Sequence, residues 1–502
     1  MARIIKGRQM TARYWHGREV LKEYKQGRLV YEKSTSIPDY LCFTALESGT
    51  FTLTIPAAVT PTYLSYVEWS KDGRTWNHTD NTSEAVTIDV QVASGEKVYW
   101  RGSGKRMSYS GNNGYTSGFS TTGKFAISGH LVSILKGSDF ENIDFLGATF
   151  ARLFQDCSNL TSAEELILPS FTVANVFSSM FLRCTALVSA PELPPVTNLT
   201  TGCYYQMFFG CSSLTHVKCL ATDISATNCL YNWLNGVSST GTFIQASGVT
   251  WPRGASGIPT GWVDVEKRTM PQGYKQVEYL QAVKPYPSNY NAAIVGTGIV
   301  LDPSQDTIEY AVWPRFDEDG YLINGGGSTA GEMPFANTSS PTSTTAKVGF
   351  FYTLYRVNSS TNLLSTFFTR ENGDGTNKAL GSSLDATNKV TDNPQTIRVE
   401  FSATSSVMYL NGTQVASRSG YTVDTSDMAT MQAFVLAYNN KTYSWEHPFY
   451  YLKWWRGANL IADYVPCVRE SDDEVGFYDF ASQTFKTRYY ISSEPFTAGE
   501  EI

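Results

Sequence analysis

The sequence predicts a mainly β, multidomain protein: an N-terminal β-meander, a β-sandwich, a short leucine-rich-repeat solenoid and a C-terminal jelly roll. Three observations support this prediction. A motif recurs at 27-residue spacing in the middle of the chain, and segments on both sides of it alternate apolar and polar residues as half-buried strands do. Only 17% of the 502 residues are charged. This length suggests roughly three to four domains.

Residues 1–33 form a basic segment with a ten-residue period. Gly-Arg pairs beginning at Gly7, Gly17 and Gly27 separate short alternating runs, which is typical of turns in a β-meander. The segment holds nine Lys or Arg against three Glu, and about thirty residues are too few for a stable core. It is predicted to dock and oligomerise against partners or copies of itself; a solvated basic face is the alternative.

Residues 39–140 are predicted to form a β-sandwich. Thr50–Ile55, Leu64–Trp69 and Ala85–Val90 alternate apolar and polar side chains, and Lys71–Arg74 has the composition of a hairpin turn. Half-buried strands at regular spacing, with turn residues between them, are typical of two packed sheets.

Residues 141–263 carry the repeat. The unit Leu/Met-Phe-x-x-Cys-Ser/Thr-x-Leu begins at Leu153, Met180 and Met207. Apolar residues that stay in phase over this period indicate stacked coils, because one coil cannot bury its apolar edge alone. The less regular end, rich in tryptophan, is interpreted as a cap. The predicted repeat core is Phe154, Cys157, Leu160, Phe181, Cys184, Leu187, Phe208, Cys211 and Leu214.

The eight cysteines do not have the spacing of a disulfide framework. Cys157, Cys184 and Cys211 occupy the same repeat position, so they are predicted to be buried, reduced thiols that act as small apolar residues. No Cys-x-x-Cys pair occurs, which argues against a zinc site.

The C-terminal part is again β-rich. Residues 264–273 are predicted to be a polar linker, 274–490 a two-sheet jelly roll and 491–502 a tail. Asp306–Trp313 and Thr396–Phe401 alternate, and Asn411-Gly412 matches a type I′ hairpin turn.

Charge and hydropathy exclude some classes of function. The net charge of −7 argues against nucleic-acid binding, and no run approaches the roughly 20 apolar residues that membrane insertion needs. The N-terminal residues have a basic start but no apolar stretch of the kind found in a secretory signal. The low charged content is typical of extracellular β-rich proteins. Its combination with the lack of an export signal is expected of a virion protein, or of a fragment whose signal has been removed.

The repeat unit, with Ala190–Pro194 between copies, resembles the BspA-type leucine-rich repeat of bacterial surface and phage proteins. The ending Lys218–Ser225, followed by Gly257–Trp262, is similar to the closing repeat of fibre proteins of phages infecting Bacteroidota, crAss-like phages among them. The first copy departs from the pattern, since Glu164–Ile167 stands where the Pro-Glu-Leu-Pro element is expected.

The last domain resembles a concanavalin A-like (laminin-G-like) lectin fold. Its opening Gly273–Leu280 and its closing Asp463–Arg469 and Gly476–Asp479 are similar to those of phage tail-associated proteins. The resemblance implies a virion fibre or receptor-binding protein on the tail or the head of a phage, and a trimer in the manner of such fibres.

No catalytic residues are predicted. Glu309 with Asp317 or Asp319 could supply the two carboxylates of a glycosidase, but the Glu-x-Asp-x-x-Glu strand of glucanases on this fold is missing, as is a Gly-x-Ser-x-Gly elbow. The run 317–320, Asp-Glu-Asp-Gly, could offer oxygens to calcium. A solvated acidic turn is the alternative, so no metal or cofactor is assigned.

Aromatic side chains are the candidates for carbohydrate contact, since their faces pack on sugar C–H groups. We predict Tyr310, Trp313, Tyr451 and Trp455 as glycan-binding candidates. Alternation places Tyr451 and Trp455 on one strand face and Tyr450, Leu452 and Trp454 on the other, so one face must belong to the core.

The expected function is a non-enzymatic phage fibre protein, exposed on the virion, that adheres to a host-surface polysaccharide or protein receptor or decorates the particle. Other virion proteins are the expected partners of the N-terminus, and nucleic acid is not. A bacterial cell-surface adhesin, a capsule-degrading glycan depolymerase and a purely architectural protein are the alternatives.

Overall fold

The computed structural model describes residues 38–108, 117–141, 144–280, 304–313, 394–417 and 448–487 with their side chains, together with 299, 302, 419, 498, 499, 501 and 502. For the remaining strands named below, only the backbone path is described. Within this described part, no helix has the length and apolar character needed to cross a membrane. The structure is mainly β and multidomain.

The N-terminal segment contains two antiparallel strand pairs. The first strand pairs with the second and the third with the fourth. The strands are β1 (Tyr14–Trp15), β2 (Arg18–Glu19), β3 (Lys22–Lys25) and β4 (Arg28–Glu32).

The next region holds eight strands and one short helix. They are β5 (Leu41–Ala45), β6 (Gly49–Ile55), β7 (Leu64–Ser70), β8 (Asn77–Asp80), β9 (Val86–Val92), β10 (Lys97–Gly104), β11 (Gly118–Thr121), β12 (Phe125–His130) and α1 (Ser133–Lys136).

These strands form two sheets around an aromatic core. One runs β12-β5-β10-β7-β8 and the other β11-β6-β9. Phe43 lies at the centre, with its ring centroid 5.4 Å from that of Phe51 and 4.6 Å from that of Phe119. Alternation selects the core side chains: in β9, Ile88, Val90 and Val92 are buried while the residues between them face solvent.

The repeat region contributes five short strands and a series of turns. The strands are β13 (Leu160–Ser162), β14 (Leu166–Ile167), β15 (His216–Cys219), β16 (Gly241–Ala246) and β17 (Trp262–Lys267).

The turns form stacked coils joined by backbone hydrogen bonds. Every second amide of a coil donates to a carbonyl of the next coil, as the Phe154 amide does to Met180 at 2.9 Å and the Phe181 amide to Met207 at 2.9 Å. The amides between them donate to the carbonyl three residues earlier. This alternation requires a left-handed backbone at every fourth residue, as at Ala148, Arg152, Asp156, Asn175, Ser179, Arg183, Gly202, Gln206, Gly210, Asn228, Asn232 and Gly236. The inter-coil ladder offsets the strain of about 1–2 kcal/mol at each non-glycine position.

The side chains at the predicted repeat-core positions are all buried. Phe181 stacks between Phe154 and Phe208, with centroids 5.4 and 5.5 Å away. The repeat cysteines also act as hydrogen-bond donors: the Cys184 thiol donates to the Phe154 carbonyl at 3.0 Å. Burial raises the pKa of Cys157 to about 12, so this thiol is neutral at physiological pH. All eight cysteines are free and buried.

The sandwich and the coils share one hydrophobic core that extends from Leu41 to Trp262. β12 pairs in parallel with β13 and β14, so the first coil extends a sheet of the sandwich. At the far end β15, β16 and β17 form a parallel sheet. β17 continues to Lys267 and so occupies the first residues of the predicted linker 264–273. This differs from the expectation because Val263 and Val265 are buried against the C-terminal domain.

The C-terminal region contains nineteen strands among its described residues. They are β18 (Tyr274–Gln276), β19 (Leu280–Ala282), β20 (Val295–Val300), β21 (Asp306–Val312), β22 (Phe335–Ala336), β23 (Val348–Asn358), β24 (Thr361–Glu371), β25 (Asn377–Ala379), β26 (Gln395–Phe401), β27 (Ser405–Leu410), β28 (Thr413–Ser419), β29 (Thr430–Ala433), β30 (Ala437–Tyr438), β31 (Lys441–Thr442), β32 (Phe449–Arg456), β33 (Asn459–Arg469), β34 (Glu474–Asp479), β35 (Thr484–Lys486) and β36 (Phe496–Ala498).

The main C-terminal sheet runs β28-β27-β26-β21-β32-β33-β34-β35, with all neighbouring pairs antiparallel. The predicted hairpin is confirmed: β27 and β28 pair, and Asn411 and Gly412 between them have φ values of 49° and 75°. Positive φ at both central positions is the requirement of a type I′ turn.

Candidate functional site

A cleft of about 460 Å³ lies where the last repeat strand meets the main C-terminal sheet. We call it the seam cleft. Its repeat side is lined by Arg253, Asp264, Glu266 and Arg268, and its sheet side by Glu309, Tyr451, Lys453 and Asp463. The volume falls within the range of roughly 300–1,000 Å³ that is usual for small-molecule sites.

An apolar contact beside the cleft holds the two domains together. Ile244, Val263 and Val265 of the repeat end form one buried cluster, which we call the seam cluster, with Ala311 and Tyr450 of the C-terminal sheet. Residues of both domains therefore reach the cleft from fixed backbone positions, which favours a preorganised site.

Strand register builds the sheet side of the cleft. Glu309 on β21 lies opposite Arg398 on β26 and Lys453 on β32, and Lys453 lies opposite Asp463 on β33. Opposite charges therefore alternate across four strands on one sheet face, an arrangement that favours pairing between neighbours. The Arg398 guanidinium lies 3.5 Å from the Glu309 carboxylate.

Arg268 connects the repeat side to the sheet side. Its guanidinium is 2.8 Å from Oδ2 of Asp463 and 3.2 Å from Oε2 of Glu266. The side chain of Gln276 fixes the neighbouring backbone: it accepts from the Arg268 amide at 2.6 Å and donates to the Glu266 carbonyl at 2.7 Å. Arg268 is thus positioned by its backbone as well as by its charge partners.

Asp463 is the most unusual group in the cleft. Its side chain is 3% exposed, and no described residue donates a hydrogen bond to its Oδ1 atom. Burial raises the pKa of this carboxyl, while the nearby charge of Arg268 opposes the rise. Buried acceptors normally have a donor, so the Asp463 carboxyl is an exception in the wall of the cleft.

Tyr451 and Lys453 supply an aromatic ring and a cation. The Tyr451 hydroxyl donates to Oε1 of Glu309 at 3.2 Å, and burial raises the pKa of this phenol well above its ordinary value. The Lys453 ammonium lies 5.5 Å from the Tyr451 ring centroid and 4.0 Å from Glu266. Neither distance is a hydrogen bond, so the ammonium retains donor capacity toward the cleft.

The structure separates the four predicted glycan-binding aromatics. Only Tyr451 lines the cleft. The prediction that Tyr310 contacts a glycan is wrong. Tyr310 is fully buried and stacks on Phe449 with centroids 6.0 Å apart, because it lies on the core face of β21. Trp313 is half-buried against the seam cluster. Trp455 is half-buried on the outer face, with the Arg398 guanidinium 5.5 Å from its ring.

Of the carboxylates considered in the sequence analysis, one lies in the cleft and two lie outside the described residues. Glu309 lines the cleft, whereas Asp317 and Asp319, and with them the suggested calcium turn, lie outside the described residues. Within the described part of the chain, no group of three His, Cys, Asp or Glu residues is placed to hold a metal ion. Arg268 and Glu266 were not predicted as site residues, since no local pattern indicates which strand they would meet.

The cleft therefore combines donors on Lys453, acceptors on Asp463 and Glu309, and the aromatic surface of Tyr451. Polar groups of both kinds beside an aromatic face suit a hydroxyl-bearing ligand, which both donates and accepts hydrogen bonds.

His216, on β15 near the same junction, gives a pH-dependent prediction. Burial, with a smaller contribution from Lys218, lowers its pKa to about 4, and its Nε2 atom is 3.9 Å from Glu278. In the unfolded chain histidine has a pKa of about 6.5, so that state binds the proton first as the pH falls. The stabilising contribution is complete above pH 6.5 and is lost as the pH falls through about 4.

We expect His216→Gln to flatten the decline of melting temperature between pH 7 and pH 4. The effect should be smaller than the full pKa difference implies, because the His216 side chain is 38% exposed. Circular dichroism melts at four pH values measure it. His78→Gln is the control, since Asp80 and Glu68 raise the pKa of His78. Parallel curves for wild type and His216→Gln would contradict the assignment.

No protein-family model matches this chain, and no curated protein sequence matches it significantly. Solved structures show partial likeness. A Bacteroides ovatus protein assigned to carbohydrate binding is 11% identical with a TM-score of 0.27, over 45% of this chain and 61% of that one. Domains LG4-5 of the mouse laminin α1 chain are 10% identical with a TM-score of 0.21, over 40% and 47%. Tailspike protein 2 of an Escherichia coli O157:H7 bacteriophage is 11% identical with a TM-score of 0.23, over 44% and 33%. The chain is similar to each of these over part of its length.

Proposed function

We propose that this chain is a non-enzymatic fibre protein of a phage virion that adheres to a host-surface glycan through the seam cleft. In this proposal residues 1–33 attach the fibre to other virion proteins and trimerise it. The sandwich and the repeat coils serve as a spacer, and the C-terminal domain carries the recognition surface.

The arrangement of domains supports a spacer role. The sandwich and the coils share one continuous core, and the seam cluster fixes the C-terminal domain to the last coil. Because each coil packs on its neighbours, a stack of coils holds its two ends at a fixed separation. The resemblance of the repeat unit to BspA-type repeats of phage and surface proteins points to the same role.

The observation that carries the glycan proposal is a single cleft lined by a cation, a carboxylate and an aromatic ring, namely Lys453, Glu309 and Tyr451. A sugar hydroxyl can accept from the Lys453 ammonium and donate to the Glu309 carboxylate, whose side chain is 21% exposed. The aromatic ring provides a surface for sugar C–H groups.

A glycan array probed with the full chain tests this proposal, followed by calorimetry with the best ligand. We expect Tyr451→Ala and Lys453→Ala each to raise Kd about tenfold or more, or about 1.4 kcal/mol. Lys486→Ala, on β35 of the same sheet and away from the cleft lining, is the matched control and should leave Kd unchanged. Unchanged binding by both cleft variants would place the glycan elsewhere.

Immunogold labelling of intact particles tests the virion role. Antibody against residues 270–502 should deposit gold on the tail tip or baseplate if the protein is a receptor-binding fibre. Gold over the capsid would make it a head fibre, and absence of gold from particles would reject the virion role.

One observation favours a second candidate, cleavage of the bound glycan. The raised pKa of Asp463 is the property of a general acid, and the Glu309 carboxylate lines the same cleft. Incubation of the ligand glycan with the protein decides between the two: new reducing ends that disappear with Asp463→Asn would make the protein a depolymerase.

A further inference from the structure

A second surface stands out on the wall of the repeat coils. The inter-coil hydrogen bonds place Ser178, Tyr205 and Tyr231 in one column, since their carbonyls accept from the amides of Arg152, Ser179 and Gln206 at 3.0, 2.7 and 2.9 Å. The column begins with a buried serine and ends with a tyrosine that is 45% exposed. Phe209, four residues after Tyr205, is half-buried on the same wall. We call Tyr205, Phe209 and Tyr231 the tyrosine wall.

The two tyrosines are ordered against each other. Their rings stack with centroids 5.0 Å apart and an angle of 17° between planes. Inter-coil stacking is already supplied inside the core, where Phe177 stacks on Tyr204 and Phe181 on Phe208. An earlier coil has serine at this position. The packing of coils therefore does not require the two large aromatic side chains.

The polar groups of the wall can hydrogen-bond a ligand. The hydroxyls of Tyr205 and Tyr231 make no hydrogen bond to any other described residue, and the same holds for the side-chain amides of Asn232 and Asn235 beside them. Exposed residues nearby include Thr201, Thr227 and Asn228. Arg183, whose amide donates to the Phe209 carbonyl, is also exposed and is paired with Asp156.

We propose that the tyrosine wall is a second carbohydrate-binding surface, which takes a neutral polysaccharide chain. The ring surfaces pack on sugar C–H groups, and the phenol hydroxyls and asparagine amides hydrogen-bond sugar hydroxyls. The wall carries no charge, and the adjacent Arg183 is balanced by Asp156, so the surface has no net charge to attract an acidic or basic polymer. Its polar surroundings disfavour a protein partner, whose interface would need a fully buried apolar centre and roughly 800 Å² of this surface.

The wall shares no residue with the seam cleft, so the two proposals fail separately. The test is affinity electrophoresis of the full chain in native gels that contain mannan, xylan, laminarin or dextran. A Tyr451→Ala/Lys453→Ala background removes the cleft contribution. In this background we expect retardation by at least one polysaccharide, and Tyr205→Ala/Tyr231→Ala should raise the apparent Kd at least tenfold.

Tyr66→Ala, at a partly exposed tyrosine of the sandwich, is the matched control and should be retarded like its parent. If the double variant melts at a lower temperature than its parent, the single variant Tyr231→Gln replaces it, because that side chain is the most exposed of the three. Retardation unaffected by the wall substitutions would overturn the proposal. An absence of retardation in all four gels would also overturn it.

Discussion

Replacement of Phe181 by alanine is expected to lower the free energy of unfolding by about 3–5 kcal/mol. Phe181 is fully buried and stacks on Phe154 and Phe208 with centroids 5.4 and 5.5 Å away. Its removal leaves a cavity and interrupts the aromatic stack between three successive coils. The sandwich and the coils share one core, so the loss should appear in a single cooperative transition of both.

Guanidinium denaturation followed by near-ultraviolet circular dichroism measures this loss. Val188→Ala is the matched control, because Val188 lies in the same coil but is 48% exposed; it should change stability by less than about 0.5 kcal/mol. A change at Phe181 no larger than that of the control would mean that the coils do not depend on the aromatic stack.

Replacement of Arg456 by leucine is expected to cost about 3 kcal/mol. Its partner Asp306 is fully buried and accepts from the Arg456 guanidinium at 2.9 and 3.0 Å and from the Trp454 indole at 3.0 Å. Removing the cation leaves a buried carboxylate without its counter-charge, a loss of about 3–5 kcal/mol in other proteins. The lower end applies because Arg456 is 36% exposed.

A double-mutant cycle separates the ion pair from its parts. Asp306→Leu/Arg456→Leu should recover part of the stability that Arg456→Leu loses, since it removes the buried carboxylate that lacks a counter-charge. The recovery is incomplete because the buried Trp454 indole loses its acceptor. Chemical denaturation of the four proteins supplies the cycle. Additive losses would mean that the two residues act independently.

The repeat region shows how far local periodicity reaches. The 27-residue phase placed Phe154, Cys157 and Leu160 in a predicted core, and the structure buries each of them. The period does not predict the hydrogen bond from the Cys184 thiol to the Phe154 carbonyl, because that contact depends on the separation of successive coils.

The aromatic candidates show where local reasoning ended. Alternation correctly separates Leu452 and Trp454, which are buried, from Tyr451 and Trp455, which are half-buried. Tyr450 departs from the predicted grouping, because the register with β21 shifts between Ala311 and Val312 and Tyr450 packs with Val263 and Val265 of the repeat end. Alternation gives no information on the neighbouring strand. Tyr310 was therefore offered as a ligand contact, although the core face of the sheet contains it.

The candidate site was even less accessible to sequence reasoning. Tyr451 was predicted as a glycan contact and Glu309 as a possible glycosidase carboxylate, and neither was expected beside Arg268, which belonged to a predicted linker. The pair Arg268–Asp463 joins residues far apart in the sequence, at 2.8 Å. No period or motif specifies such a pair.

Local sequence patterns were enough to predict the β class, the phase of the coils, the hairpin at Asn411-Gly412 and the alternation of β32 from Tyr451 to Trp455. Each of these depends on side-chain periodicity or turn chemistry within a few residues, or on a repeat that copies itself. Three features became known from the fold alone: which sheet face is core, where the repeat end meets the C-terminal domain, and the cleft with a buried carboxylate at that junction. Those features depend on packing between distant segments, where burial and charge pairing act on residues that have no local relation to one another.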